Sequence, residues 1–261
     1  MEYRDIRYQL EAPSALVRID RPERLNAFRG RTIEELIHAF HRAWTARDVA
    51  CVVLTGAGDR AFCVGGDQKE YVEKGGYGTS ENGLWELEEL QQLIRSIPKP
   101  VIAAVNGAAF GGGCEFAMAA DFIYAAKRAR FALTEVSLGI MPGAMGTQNM
   151  PRAVGVRRAK EIILTAAPFT AEQALEWGLV NKVCENGSLL DETLETAERI
   201  AGNAPISTRQ AKRSISIGVE IDLKSGYAFE IEAYNRLVST EDRMEGIRAF
   251  NEKRRPRFKG R

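Results

Sequence analysis

The sequence has few residues of the types that hold metal ions or form disulfides. Among 261 residues there are two histidines, His38 and His41, and no third ligand accompanies them. A solvated or partly packed helix face is therefore the preferred interpretation of this pair. The four cysteines are widely spaced in apolar or glycine-rich segments: Cys51, Cys63, Cys114 and Cys184. They are predicted to be reduced core residues, and no metal site is expected.

The chain also lacks an excess of either charge. Its 36 basic and 35 acidic residues give a formal net charge of +1, so no global field favours nucleic acid or an anionic membrane. The first residues contain no apolar signal core, and no apolar run approaches the length that spans a bilayer. We therefore expect a cytoplasmic location, with neither a membrane nor a nucleic acid as partner.

Several common catalytic signatures are missing as well. The sequence contains no Gly-x-Ser-x-Gly elbow and no dinucleotide glycine fingerprint. The three-glycine run at 111–113 lacks the spacing of a phosphate loop. Nothing here indicates a serine-nucleophile elbow, a dinucleotide site or a phosphate loop.

What the chain does have is a hydrophobic content of 45%, enough for a large core, and a regular alternation of elements in its first half. Strands are predicted at 15–20, 51–54, 101–105 and 122–125. Apolar residues at helical spacing predict two helices: Ile33, Leu36, Ile37, Phe40 and Trp44, then Leu84, Leu87, Leu90 and Leu93. This order favours an α/β fold with a mostly parallel, helix-covered sheet.

The last third of the sequence is predicted to be helical. A capped helix start at Thr170 to Gln173 and a stop at Trp177-Gly178 precede a short strand, and almost everything from Leu189 onward has helical character, with breaks near Pro205 and Gly218. No linker or repeat divides the chain. We expect a core at residues 1–195 with the ligand site and a helical region at 196–261 that forms a lid or an oligomer layer.

Two acidic residues stand in apolar, glycine-rich surroundings. Glu115 follows the glycines at 111–113, and Glu135 follows the run Phe131 to Thr134. A buried carboxylate needs donors around it or has a raised pKa suited to proton transfer. Acid/base catalysis is one interpretation. The alternative is structural: a helix-dipole partner at Glu115 and a salt bridge at Glu135.

Two glycine clusters could provide backbone donors next to these carboxylates. Gly65-Gly66 follows the 51–54 strand, and the run at 111–113 precedes the helix that carries Glu115. Two N–H groups that converge on one carbonyl oxygen would form an oxyanion hole. Each cluster alone is also explained by tight turns or close packing.

An ordered series of motifs along nearly the whole chain resembles the enoyl-CoA hydratase/isomerase family, the crotonase superfamily. The motifs are RPERLNA at 21–27, AFCVGGD at 61–67, KPVIAAVNG at 99–107 with GGGCE at 111–115, EVSLGIMPG at 135–143 with GTQ at 146–148, and FNEKR at 250–254. The resemblance implies a crotonase-like spiral of ββα units with a helical C-terminal trimerisation region. It also implies an acyl-CoA thioester as substrate, no separate cofactor, and assembly as a homotrimer or a dimer of trimers.

Residue by residue, the resemblance implies a catalytic set at matching positions. The backbone N–H groups of Gly66 and Gly112 would polarise the thioester carbonyl, while Glu115 and Glu135 would hold the water, activate it and supply the α-proton. The positions that would contact CoA are Arg24, Ala27, Val64, Gly66, Asp67, Gln68, Lys69, Phe250 and Lys253. Phe250 and Lys253 would close the nucleotide pocket, and a neighbouring subunit could supply them.

The expected activity is reversible syn addition of water to a 2-enoyl-CoA, which gives a 3-hydroxyacyl-CoA. Departures from the usual hydratase pattern keep alternatives open. Gly66 and Gln68 match the form found in relatives that act on cyclic acyl-CoAs, and Met145 interrupts the Pro-Gly-Ala-Gly-Gly pattern. Acyl selectivity commonly varies in the 70–82 stretch. Isomerisation, dehydration or ring cleavage of an acyl-CoA is the alternative within the family. RNA binding is the alternative from another class, which the near-neutral charge disfavours.

Overall fold

The structure, a computed structural model, describes residues 1–74 and 85–261. Within these ranges the strands fall into two sheets. The larger sheet has the order β1-β2-β3-β5-β7-β10, and the smaller has the order β4-β6-β8-β9. The strands of the larger sheet are β1 (Ile6–Glu11), β2 (Ser14–Ile19), β3 (Cys51–Gly56), β5 (Val101–Val105), β7 (Phe122–Ala126) and β10 (Lys182–Cys184). Those of the smaller sheet are β4 (Ala61–Cys63), β6 (Ala108–Phe110), β8 (Arg130–Ala132) and β9 (Phe169–Thr170).

The larger sheet is parallel except for the β1–β2 hairpin, as predicted. The chain alternates between the sheets: β3 then β4, β5 then β6, and β7 then β8, each pair followed by helical structure. This confirms the spiral of ββα units. The predicted strand at 15–20 lies one residue earlier, at Ser14–Ile19.

The helices are α1 (Gly30–Thr45), α2 (Gln68–Lys74), α3 (Trp85–Ser96), α4 (Gly112–Ala119), α5 (Gly146–Val154), α6 (Val156–Thr165), α7 (Ala171–Glu176), α8 (Leu189–Ala201), α9 (Pro205–Gly218), α10 (Leu223–Val238) and α11 (Glu241–Asn251). Short 3-10 helices span Pro22–Arg24 and Glu135–Leu138. The predicted breaks near Pro205 and Gly218 are confirmed. The boundary expected at residue 195 falls inside α8.

The main core lies between the strands and the helices α1, α3 and α4. Leu36 and Phe40 of α1, with Leu90 of α3, are completely buried. Trp44, which shares their helical spacing, is 42% exposed, because the last turn of α1 extends beyond the core. Leu84 lies outside the described residues, and so do residues 75–82 of the 70–82 stretch, where acyl selectivity is expected to vary.

The cysteines and histidines occupy the predicted environments. Cys51, Cys63, Cys114 and Cys184 are free and buried. Burial raises the thiol pKa of Cys51 and of Cys63 to about 12, which keeps both groups protonated and unreactive. His38 bonds through Nδ1 to the Tyr3 hydroxyl at 2.8 Å, and His41 stacks on Trp44.

Neither a membrane-spanning helix nor a metal-binding cluster is found in the described part of the chain. No helix there is long and apolar enough to cross a membrane. No group of three or more His, Cys, Asp or Glu side chains at 1–74 and 85–261 is arranged to hold a metal ion.

Candidate active site

A cavity of about 150 Å³ lies where α4 meets the loops that follow β4 and β8. Both predicted carboxylates, Glu115 and Glu135, line it, and so do the predicted oxyanion-hole glycines, Gly66 and Gly112. The spiral explains this convergence, since successive ββα units place their post-strand loops side by side. Four residues that are separated by up to 69 positions therefore share one cavity.

Glu115 is held by backbone donors from a distant loop. It lies in the first turn of α4 and is 2% exposed. Its Oε1 accepts hydrogen bonds from Ala144 N at 2.9 Å and from Gly146 N at 2.8 Å. Two N–H groups that flank one residue and converge on one oxygen form an anion-binding nest. The carboxylate is therefore fixed in orientation, and neither donor uses Oε2.

The residue between the two donors has an unusual backbone conformation. Met145 has φ +70° and ψ 6°, in the left-handed region that favours glycine. This conformation brings Ala144 N and Gly146 N to the same oxygen. Gly146 must lack a side chain, because a Cβ there would lie 2.6 Å from Glu115 Oε1. Met145 does not line the cavity among the described residues, so its departure from the family pattern acts on the backbone at this position.

Glu135 has no comparable support. It begins the 3-10 helix Glu135–Leu138 and is 8% exposed. Both carboxylate oxygens are buried, and neither has a hydrogen-bond partner among the described residues. The salt bridge considered for this position is therefore wrong, since no described Lys or Arg pairs with it. An unpaired buried carboxylate costs free energy, so its position requires another explanation.

The two carboxylates are electrostatically coupled across the glycines that begin α4. A Cβ on Gly111 would lie 3.4 Å from Glu135 Oε1, and one on Gly112 would lie 3.9 Å from Glu115 Oε2. Burial, together with the charge on Glu135, raises the pKa of Glu115 to about 7, against the Gly146 and Ala144 N–H groups, which lower it. Burial also raises the pKa of Glu135. Two buried carboxyls that share one cavity disfavour carrying a charge at the same time.

Gly66 and Gly112 line the cavity, and hydrogen bonds of the preceding carbonyl groups orient their N–H groups. A trans peptide directs its C=O and its N–H in opposite directions. The Gly65 C=O accepts from Phe28 N at 2.9 Å, so the Gly66 N–H points away from the Phe28 backbone. The Gly111 C=O accepts from Glu115 N at 3.1 Å, so the Gly112 N–H extends outward from the start of α4. Neither N–H donates to a protein acceptor within residues 1–74 and 85–261.

Close packing explains why glycines occupy the start of α4. A Cβ on Gly113 would lie 1.9 Å from the Cys63 carbonyl oxygen, and one on Gly112 would lie 2.7 Å from Phe28 Cε1. Gly111 has φ +52° and ψ −127°, a conformation open to glycine. The sequence predicted that the three-glycine run precedes the helix. That prediction is wrong in register, because Gly111 is the N-cap and Gly112 is already the first helical residue.

The predicted CoA contacts divide into three groups by position. Val64, Gly66 and Gln68 line the cavity. Arg24 and Lys69 are exposed and belong to segments that adjoin the lining residues in sequence. Ala27 and Asp67 belong to the same segments but are buried. Phe250 is 84% exposed on α11, and Lys253 follows that helix with φ +54°. Neither of these two lines the cavity within the described part of this single chain.

Sequence reasoning missed several residues that shape the site. Ala144 and Gly146 are 29 and 31 positions from the glutamate they anchor. The Gly-Ala-Met-Gly run at 143–146 was the available signal. Three exposed apolar residues, Leu138, Ile140 and Met141, form one wall of the cavity mouth. Their positions inside the matched 135–143 motif were visible, but their exposure depends on the fold.

The chain is similar to known proteins of one family along nearly its whole length. Residues 11–261 match the family model described as enoyl-CoA hydratase/isomerase. The chain is 40% identical to the short-chain-enoyl-CoA hydratase of Clostridium acetobutylicum, over 98% of this chain and 97% of the relative. It is 42% identical to the mitochondrial enoyl-CoA hydratase of Pongo abelii, over 94% and 83%. A crystal structure of an enoyl-CoA hydratase from Bacillus anthracis superposes with a TM-score of 0.94 at 39% identity, covering 99% of this chain and 100% of that one.

Proposed function

This chain belongs to the enoyl-CoA hydratase/isomerase family, and we propose that it is an enoyl-CoA hydratase, a hydro-lyase that adds water reversibly to a 2-enoyl-CoA and gives a 3-hydroxyacyl-CoA. The observation that carries the proposal is the pair of buried carboxylates that line one cavity together with two backbone N–H groups. Within residues 1–74 and 85–261 neither N–H group donates to a protein acceptor. The hydratase relatives of about 40% identity support the same reaction.

The thioester carbonyl oxygen would lie between the N–H groups of Gly66 and Gly112. Attack of water on the β-carbon moves the π electrons toward this oxygen, and a dry pair of donors stabilises the enolate that forms. Loss of one such donor typically costs about a hundredfold to a thousandfold in rate. The two glycines therefore supply the electrophilic half of the reaction.

Glu115 and Glu135 would supply the proton transfers. The ionised carboxyl accepts a proton from water as the oxygen bonds to the β-carbon, and the protonated one donates to the α-carbon. The two carboxyls exchange roles, so the pair again holds one proton at the end of addition. Raised pKa values at both groups suit this task, because a general acid or base works best with a pKa near the operating pH. No redox step is required.

The proposed CoA path passes Val64, Gly66 and Gln68 at the cavity, with Arg24, Ala27, Asp67 and Lys69 along the adjoining segments. We assign the distal nucleotide to Phe250 and Lys253 of a neighbouring subunit, because neither lines the cavity of its own chain within the described residues. An exposed apolar stripe on α10 supports a homotrimer or dimer of trimers: Leu223, Tyr227, Ile231 and Tyr234 are each more than half exposed at helical spacing.

The test is direct. Purified protein mixed with a short 2-enoyl-CoA should bleach the absorbance of the conjugated thioester, and the product should gain the mass of one water. Product of unchanged mass would instead indicate isomerisation, and fragments would indicate ring cleavage of a cyclic acyl group. No turnover with linear, branched or cyclic enoyl-CoAs, together with salt-dependent RNA binding, would contradict the proposal. Sedimentation measurements of the same preparation would give the subunit number.

A further inference from the structure

The short segment that carries the Gly66 donor contacts the Phe28 backbone through one isolated bridge. Phe28 and Gly66 form an isolated parallel bridge, outside any named strand. Phe28 N donates to Gly65 O at 2.9 Å, and Asp67 N donates to Phe28 O at 2.8 Å. Two hydrogen bonds thus set the direction of the Gly66 N–H. An isolated bridge lacks the neighbouring ladder bonds that hold a strand in a sheet, so a small shift here would turn the donor.

A buried ion pair joins both sides of this bridge. Arg21 Nη2 lies 2.9 Å from Asp67 Oδ2, and the same guanidinium donates through Nη1 to the Ala27 carbonyl. Ala27 immediately precedes Phe28, and Asp67 immediately follows Gly66. One rigid planar group therefore connects the residue before the bridge on one segment with the residue after it on the other. Arg21 is 7% exposed and Asp67 is 6% exposed, so water does not loosen the pair.

Asp67 also fixes the segment from its other oxygen. Oδ1 accepts from Glu70 N at 3.2 Å, in the first turn of α2, which begins at Gln68. Burial alone would raise the carboxyl pKa, but the Glu70 N–H and the Arg21 guanidinium together hold the pKa of Asp67 below its ordinary value. The ionised side chain thus contacts Arg21 and the first turn of α2 at the same time, and Gly66 immediately precedes it in the chain.

We propose that Arg21 and Asp67 are positioning residues of the oxyanion hole, whose buried ion pair sets the direction of the Gly66 N–H. The inference rests on the proposed function, because it needs a carbonyl oxygen for that N–H to meet. It gives Asp67 a role that differs from direct contact with CoA. The effect is on orientation: an error of about 1 Å in a reacting group can cost roughly a hundredfold in rate.

A role in folding alone makes a different prediction. Replacing one partner of a buried ion pair lowers stability wherever the pair lies, because an unpaired charge remains. A positioning role also changes how strongly the bound carbonyl is polarised. The pair formed by Lys212 and Asp121, with Nζ 2.8 Å from Oδ2, provides the matched control: its side chains are 9% and 24% exposed, and neither residue lines the cavity.

The experiment uses Asp67→Asn, which keeps the side-chain volume and an acceptor for Glu70 N, and Arg21→Lys, which keeps the charge but loses the planar fork. Asp121→Asn is the control. The primary readout is the infrared stretch of butanoyl-CoA labelled at the thioester carbonyl carbon, a saturated ligand that cannot be hydrated. The second readout is kcat and KM with a short 2-enoyl-CoA.

Wild-type protein should lower the carbonyl frequency of the bound ligand, and Asp67→Asn and Arg21→Lys should lose a large part of that shift. Their kcat should fall roughly tenfold to a hundredfold while KM changes less than about threefold. Asp121→Asn should lose thermal stability and keep both the shift and kcat. A full shift with unchanged kcat in both test variants would overturn this inference alone. A wild-type protein that binds the ligand without any shift would overturn the oxyanion hole, and the proposed function with it.

Discussion

Glu115 and Glu135 face one cavity from two different kinds of surroundings. Glu115 is anchored by Ala144 N and Gly146 N on a single oxygen, so local structure accounts for its burial. Glu135 is buried with no partner on either oxygen within the described residues, so local structure gives no reason for its burial. Natural proteins retain such groups where function needs them, because the unpaired state costs stability. The unsupported carboxylate is therefore the more informative of the two, although both occupy equally recognisable motifs.

The largest expected effect tests whether the anchored and the unanchored carboxylate are both needed for catalysis. Glu135→Gln and Glu115→Gln should each lower kcat by about a hundredfold to ten-thousandfold, because each removes one partner of the proton transfer. The double variant should be only slightly slower than either single one, since the pair acts as a unit. Steady-state hydration kinetics measure this. Near-normal turnover in Glu135→Gln would show that the buried Glu135 carboxylate is not needed for the reaction.

The second prediction disturbs only the anchored carboxylate. Alanine at Gly146 would put a Cβ 2.6 Å from Glu115 Oε1 and 2.9 Å from Pro142 Cβ, which displaces the carboxylate from its donors. We expect Gly146→Ala to lower kcat by roughly tenfold to a hundredfold. Gly218→Ala is the matched control, because the added Cβ would lie within 4 Å of no described atom beyond its chain neighbours and its own helix backbone. Equal activity in the two variants would show that Glu115 does not depend on its anchor.

The third prediction concerns stability and pH. Burial raises both carboxyl pKa values in the folded chain, that of Glu115 to about 7 from an ordinary 4.5. For Glu115, the stabilising contribution is thus complete below pH 4.5 and is lost as the pH rises through about 7, where the folded chain must hold this buried charge. At pH 8.5, Glu115→Gln should be more stable than wild type by about 2 kcal/mol, given 1.36 kcal/mol per pKa unit and allowing for coupling.

Denaturant midpoints at pH 4 and pH 8.5 measure this difference. Glu135→Gln should stabilise in the same direction at high pH, because it removes both a desolvated charge and the repulsion on Glu115. At pH 4 both variants should match wild type, which serves as the internal control. A variant that is less stable than wild type at pH 8.5 would contradict the raised pKa at that position.

Features that depend on residues close together in the sequence were predictable, and features that depend on distant residues were not. The strands at 51–54 and 101–105 were predictable because each is a continuous apolar run buried on both faces. The smaller sheet was not visible locally, since β4, β6 and β8 have three residues each and carry no periodic pattern. The ββα spiral came from the resemblance of ordered motifs rather than from these short runs.

The site followed the same rule. Glu115 and Glu135 were identified because carboxylates among apolar residues are conspicuous in one dimension. What holds them was not predictable: the Ala144 and Gly146 donors are about thirty positions from Glu115. Likewise, Arg21 and Asp67 are 46 positions apart, and nothing in either motif indicates that they pair. Backbone N–H direction has no signature beyond the glycines themselves.

The smallest expected effect examines the backbone that anchors Glu115. At a right-handed position Gly is less stable than Ala by roughly 0.5–1 kcal/mol, whereas a left-handed position reverses the order by about 1 kcal/mol. Met145 has φ +70°, so Met145→Gly should be more stable than Met145→Ala by about 1 kcal/mol. Ala166, with φ +53° at the end of α6, is the control outside the cavity lining, and Ala166→Gly should stabilise similarly.

Both Met145 variants should keep kcat within about threefold, because the groups that hold Glu115 are main-chain N–H groups. A large loss of kcat in Met145→Ala with retained stability would instead assign a catalytic contact to the Met145 side chain, and the anchored carboxylate would then depend on more than its backbone donors.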